Sequence, residues 1–291
     1  MVRPRKRPGP FCVACASAYQ IDSTASLNMT GVGKRSSAVM NGWPRRRFVA
    51  EGITIKSLVF DSEIFGFGCG ELIVSGPATI RGILDASQEA ESQGLVHLTA
   101  KVHAAESPNL NVLLSAGFRL MMTSLDMEAK VCLPGTSGQV DLALPTDRDR
   151  ILEISRLSFT KETRFHADPT FDPTAISKLH VRWTENLLDD PEVIVLIRRV
   201  NKTVHGFITL ARTEEMAHIG LFAVDPKIRR CGHGRALLDA AMIHCFQEVK
   251  SLTVRTECIN YSALNAYIDS GFRVTGAMHA LHRMAAPKAK S

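Results

Sequence analysis

The run Arg229-Arg230-Cys231-Gly232-His233-Gly234-Arg235 joins fixed positive charge to two glycines two residues apart. Glycine removes the side chain that would keep an oxyanion away from backbone amides, and a helix starting near Arg235 adds free N–H groups and a positive dipole end. Such a stretch suits a phosphate, and its spread of donors suits a pyrophosphate. Two nucleotide loops are excluded. A nucleotide-hydrolysing loop needs Gly-Lys-Ser/Thr, and a dinucleotide fingerprint needs a third glycine where Leu237 stands. An ordinary strand-to-helix turn uses the same glycines, so the loop by itself leaves that reading open.

The elements that hold the loop follow from periodicity. Ala217 to Val224 reads as an apolar strand, Pro226 marks a turn, and Leu237, Leu238, Ala241, Met242 and Cys245 make one helical stripe. Beyond them lies a unit that occurs twice. His97 to Arg119 aligns without a gap on Ser251 to Arg273, with Leu98, Thr99, Leu110, Asn111, Gly117, Phe118 and Arg119 repeated as Leu252, Thr253, Leu264, Asn265, Gly271, Phe272 and Arg273. Each copy reads as a strand, a loop, a short helix and a Gly-Phe turn into another strand. The first copy is preceded by a helix, Ile80 to Gly94, without the glycine loop, and has Leu113 where the second has Tyr267.

At 291 residues and 45% hydrophobic content, the chain is long enough for two domains or one elaborated α/β domain. The net charge of +6 is misleading, because residues 1–50 hold nine Lys/Arg against Asp22 alone. The remainder has 26 basic and 28 acidic residues, which gives no basis for nucleic-acid binding. Residues 1–50 read as a disordered basic tail; FCVACASA has only the outline of a signal peptide, and GVGKRSS lacks the Ser/Thr and preceding strand of a phosphate loop. Seven scattered cysteines, with one CxxC at Cys12 and Cys15, point to reduced thiols, a cytoplasmic location and no metal. No apolar run reaches the ~18 residues of a membrane span, so no membrane partner is expected.

A strand, an R-x-x-G-x-G loop, an amphipathic helix, a second strand and NYSALNAYIDSGF closely resemble the two central motifs of the GNAT acetyltransferases, over Val193 to Met284. The resemblance implies an α/β (α+β) fold, with a mixed, mostly antiparallel sheet flanked by helices. With the repeat, it implies a tandem acyl-CoA N-acyltransferase fold whose first copy is degenerate. The implied divisions are 51–137 for that copy, 138–285 for the catalytic domain, and a tail at 286–291. Acetyl-CoA is the implied acetyl donor, with its pyrophosphate on Arg229, Arg230, Cys231, Gly232, His233, Gly234 and Arg235. Its pantetheine arm would pair with Phe222, Ala223 and Val224, next to Asn260 and Ala263. Attack of an amine on a thioester forms an oxyanion and expels a thiolate, so Tyr267, at the family's tyrosine position, is the expected general acid.

FDSEIFGFGCGEL, TRFHADP and KLHVRWTENLLDD further resemble the dTDP-fucosamine acetyltransferase branch, which acetylates the 4-amino group of a nucleotide-linked amino-dideoxysugar. On that resemblance Arg164, His166, Trp183 and Glu63 are candidate acceptor contacts, and Asp61 is a candidate to orient the amine or a water, a turn cap being its other reading. Glu63, Asp168 and Glu257 compete as the base, with no decisive spacing. The expected partners are acetyl-CoA and a small amine or nucleotide sugar, and a homodimer is compatible with them. Other GNAT acceptors (a protein, an antibiotic or a polyamine) and a non-catalytic acyl-CoA-binding module are the rival readings.

Overall fold

Residues 49–50, 52–133, 139–161 and 163–285 are described by the computed structural model. The expectations for the basic tail, FCVACASA, GVGKRSS, Cys12 and Cys15 lie outside the described residues. The strands are β1 (Val49–Ala50), β2 (Ile53–Ser57), β3 (Gly68–Val74), β4 (Leu95–His103), β5 (Arg119–Lys130), β6 (Val140–Leu142), β7 (Val193–Val200), β8 (Thr203–Arg212), β9 (Met216–Val224), β10 (Ser251–Glu257) and β11 (Arg273–Met284). The helices are α1 (Val59–Phe65), α2 (Ile80–Ser92), α3 (Ser107–Ser115), α4 (Arg148–Ser158), α5 (Arg164–Ala167), α6 (Pro173–Asp189), α7 (His233–Cys245) and α8 (Tyr261–Asp269).

All the strands join one sheet in the order β1-β2-β3-β4-β11-β5-β10-β9-β8-β7-β6. Only β3/β4 and β9/β10 are parallel, so the sheet is mixed and mostly antiparallel, as expected from the sequence. The repeated unit is β4-α3-β5 in the first copy and β10-α8-β11 in the second. The copies interlock, because β5 pairs with β10 and β11 pairs with β4 and β5. Each copy's last strand therefore lies beside the other copy's first strand, and neither completes its sheet alone.

The two faces of the sheet differ. Leu98, Ala100 and Leu281 lie on one face under α2 and α3, and Met127, Leu252 and Val254 lie on the same face under α7 and α8. These side chains bury the apolar half of each alternating strand, worth ~25 cal/mol per Å2 removed from water. Under α5 and α6, Phe165, Phe171, Ile176 and Leu179 form a separate apolar cluster, against which Phe60, Ile64, Phe65 and Phe67 pack. On that second face β4, β5 and β10 carry polar residues, Thr99, Lys101, Ser124, Asp126, Arg255 and Glu257 among them.

Candidate active site

Between β9 and β10 the ladder runs from Met216/Ser251 to Ile219/Val254 and stops, although β9 continues to Val224 and β10 to Glu257. Two residues of β9, Gly220 and Leu221, stand opposite Thr209 in the β8 ladder, and Leu221 N–H donates to Thr209 Oγ1 at 2.7 Å. A bulge of this kind bends the strand. Phe222, Ala223 and Val224 keep β8 on one side through Ile208, Phe207 and Gly206, while their other edge faces the opening.

The loop at the end of β9 starts from Asp225, whose carboxylate accepts from Lys227 N–H at 2.9 Å and from Arg150 of α4. Arg230 (φ 64) and Gly232 (φ 78) both adopt left-handed backbone, and no side chain caps the N-terminus of α7. The first amides of a helix lack intrahelical acceptors, so the loop and helix end present a set of open donors fit for a pyrophosphate. The two glycines serve different ends. A Cβ on Gly232 would meet nothing within 4 Å, so that glycine is needed for its φ. A Cβ on Gly234 would lie 3.2 Å from Phe222 Cζ, so that glycine lets α7 close onto β9.

The candidate loop side chains do not all face one ligand. Arg230 and Cys231 are exposed. Arg229 Nε donates back to Val224 O at 3.3 Å, and His233 Nε2 lies 3.2 Å from His205 Nδ1 on β8. Arg235 donates to Asp239 Oδ1 at 2.8 Å and Asp269 O at 2.9 Å, tying α7 to the end of α8. Asn260 caps α8 by accepting from Ala263 N–H at 3.3 Å. Tyr267 projects from α8 into the core, its ring 5.9 Å from Phe222 and 5.4 Å from Phe272. Burial pushes its phenol well above the ordinary value of 10, so it keeps its proton.

The second face of the sheet carries a polar strip that leads to this opening. Register places Glu71 beside Thr99, Lys101 beside Ala280, Ser124 beside Glu257 and Asp126 beside Arg255, all on that face. Lys101 Nζ lies 3.5 Å from Glu71 Oε1, and Arg255 holds Asp126 through two bonds of 2.6 and 3.1 Å. Burial raises the Glu257 carboxyl against the pull of Arg164, Arg255 and Lys101. Burial likewise raises Asp61, opposed by Arg164 and Lys101, and brings Lys101 down to about 8 with Arg164 adding to the fall. The carboxylate of α1 that faces the strip is thus Asp61, while Glu63 is exposed.

Of the acceptor candidates, Arg164 and Trp183 each bury a donor, Nε and Nε1, that has no hydrogen-bond partner among the described residues. Buried donors of this sort are met by a ligand or ordered water. His166 is turned elsewhere, its Nδ1 2.7 Å from Thr163 Oγ1 and its ring stacked on His180. Asp168 is removed as a base. Its Oδ2 lies 2.7 Å from His282 Nδ1 and 3.2 Å from His97 Nε2, and Oδ1 accepts from Thr170. Against the upward push of burial, those bonds hold Asp168 far below the usual carboxylate range. The buried trio pins the TRFHADP segment to β4 and β11. Its ligand atoms are close enough for an ion, yet His97 Nδ1 and His282 Nε2 are buried without partners, whereas metal-bound imidazoles donate through their second nitrogen.

No motif marks Lys101, Glu71 or the Asp126–Arg255 pair. Their signal was period-two alternation: His97, Thr99 and Lys101 alternate with Leu98, Ala100 and Val102, and Thr253, Arg255 and Glu257 with Leu252 and Val254. A polar strand face of that kind ordinarily meets solvent.

Residues 150–272 match the acetyltransferase (GNAT) family. The chain is 29% identical over 189 residues to the dTDP-fucosamine acetyltransferase of Escherichia coli O6:H1, covering 63% of this chain and 80% of that protein. It is 24% identical over 151 residues to the spore coat polysaccharide biosynthesis protein SpsD of Bacillus subtilis, covering half of each. A tandem GNAT protein from the clavulanic acid biosynthesis pathway superposes with a TM-score of 0.53 at 12% identity, over 76% of each chain. No helix among the described residues is long and apolar enough to cross a membrane.

Proposed function

The chain carries an acetyltransferase domain of the GNAT family, and on that premise we propose that it moves an acetyl group to the primary amine of an amino-sugar nucleotide. The observation that carries this reading is the β9/β10 opening, with open amides at one end and Tyr267 and Glu257 near its depth. Acetyl-CoA, the donor of the family, supplies the acetyl group and a thiol leaving group. The Arg230–Gly234 backbone binds its pyrophosphate, and the open edge of Phe222–Val224 pairs with its pantetheine arm as an added strand.

Glu257 is the proposed base. An ammonium must lose its proton before attack, and a buried carboxyl raised toward neutrality accepts that proton more readily than an exposed one. Tyr267 donates a hydrogen bond, then its proton, to the departing sulfur. The acceptor assignment draws support from the names of the two curated relatives, one an amino-sugar acetyltransferase and one a polysaccharide biosynthesis protein.

Purified protein given acetyl-CoA and dTDP-4-amino-4,6-dideoxygalactose should release CoA, read with a thiol reagent. No release with this acceptor, together with release on a peptide or an aminoglycoside, would overturn the acceptor reading.

A further inference from the structure

His205 of β8 and His233, the first residue of α7, meet beside the Arg230–Gly234 loop, with His205 Nδ1 3.2 Å from His233 Nε2 and the rings edge-on at 78°. Strand alternation alone would keep them apart. Gly206 lies under α7, since a Cβ there would come 3.2 Å from Leu237 Cδ1, so regular alternation would turn His205 to the opposite face. The β7/β8 ladder slips at this point, from Arg198/Gly206 to Arg199/Val204, and the extra residue on β8 is His205. A bulge re-aims a side chain, here toward the loop. Both rings are half-buried, and His205 Nε2 and His233 Nδ1 have no hydrogen bond among the described residues.

One proton shared between two imidazoles leaves one outer nitrogen bare, and a single added proton turns both outer nitrogens into donors. Such a pair suits a phosphate dianion. The surrounding charge has the matching sign. Arg198, opposite Gly206 on the same face, buries an Nε without a partner among the described residues, and Lys227, Arg229 and Arg230 belong to the loop itself. The carboxylates on the adjoining elements are paired: Asp225 with Arg150, Asp141 with Arg199 and Asp239 with Arg235. Burial, with His205 and Arg198 adding to it, brings His233 below its ordinary 6.5, so the pair is mainly neutral at about pH 7.5 until an anion arrives.

Coenzyme A carries a second phosphate, a 3′-phosphate monoester on the ribose that follows its pyrophosphate. We propose that the His205–His233 pair binds this 3′-phosphate and takes up a proton from solvent as it does so, which makes the pair a specificity determinant for the donor. This rests on the pyrophosphate seat proposed above. The order of groups agrees with it: β8 lies on the edge of β9 away from the opening, so pantetheine arm, pyrophosphate and 3′-phosphate follow one another across the N-terminus of α7.

The test compares CoA with dephospho-CoA by calorimetry. Wild type should bind CoA roughly 10- to 100-fold more tightly, the effect of a charge-assisted hydrogen bond. At about pH 7.5, heats in two buffers of different ionisation enthalpy should show uptake of as much as about one proton with CoA and none with dephospho-CoA. His205→Leu should reduce CoA to the affinity of dephospho-CoA and leave dephospho-CoA itself unchanged, which reports that the variant is folded. Should the leucine variant not fold, His205→Gln keeps a donor but takes no proton, and should lose the uptake. Equal binding of the two ligands to the wild type, a His205 variant that weakens both alike, or an uptake unchanged in His205→Gln would overturn the assignment and leave the pyrophosphate seat standing; binding of neither ligand would overturn both.

Discussion

Gly232→Ala and Gly234→Ala are the same chemical change two residues apart, and the structure assigns them opposite physics. At Gly232 the added methyl meets nothing, but φ of 78 places an alanine in left-handed backbone. That conformation costs an L-residue about 1–2 kcal/mol, and ~1 kcal/mol shifts Tm by about 2–4 °C in a domain of this size. Gly232→Ala should therefore lower Tm by about 2–8 °C. At Gly234, inside the first turn of α7, alanine is the better helix former by up to ~1 kcal/mol. The methyl lies 3.2 Å from Phe222 Cζ, so the ring must yield by a few tenths of an ångström. Phe222 lines the opening with its ring 5.9 Å from that of Tyr267, so stability should hold within ~1 kcal/mol while the KM for acetyl-CoA rises. Thermal melts and acetyl-CoA titrations on both variants decide the matter. A larger Tm loss in Gly234→Ala than in Gly232→Ala would refute the division of labour between the two glycines.

Tyr267→Phe should lower kcat by about 10²–10⁴-fold with acetyl-CoA affinity kept, the loss of a proton donor alone; unchanged turnover in a steady-state assay would remove the role. His180, His218 and His282 are each brought down to about 4, chiefly by burial, from an ordinary 6.5. Neutral when folded and protonated when unfolded, they make the unfolded chain take up protons below pH 6.5, so stability should fall as pH drops from 6.5 toward 4 in urea titrations. A flat urea midpoint across that window would contradict their burial as neutral groups. Leu281, fully buried between the two copies' strands, should cost about 2–5 kcal/mol as Leu281→Ala and melt the sheet in one transition, read by calorimetry; two separated transitions would contradict the interlocked strands.

The candidate site was only partly legible in the sequence. The glycine turn into α7 was legible because glycine spacing and a following amphipathic stripe are local, and α7 buries Leu237, Leu238, Ala241, Met242 and Cys245 as that stripe required. The repeat was legible for the same reason: β10 begins and ends at Ser251 and Glu257, where the pattern placed it. Chain-distant pairings were not. That β11 enters between β4 and β5 depends on which edges the two copies leave open, and no residue records its partner strand. The roles of loop side chains were equally closed to reading, since Arg235 and His233 are claimed by Asp269 and His205, 34 and 28 residues away. Above all, the alternation in β4 and β10 gave a polar face without saying what covers it. Local sequence fixes which side of a strand is polar; only tertiary packing, with α5 over β5, takes that side out of water, where burial raises Glu257 and lowers Lys101.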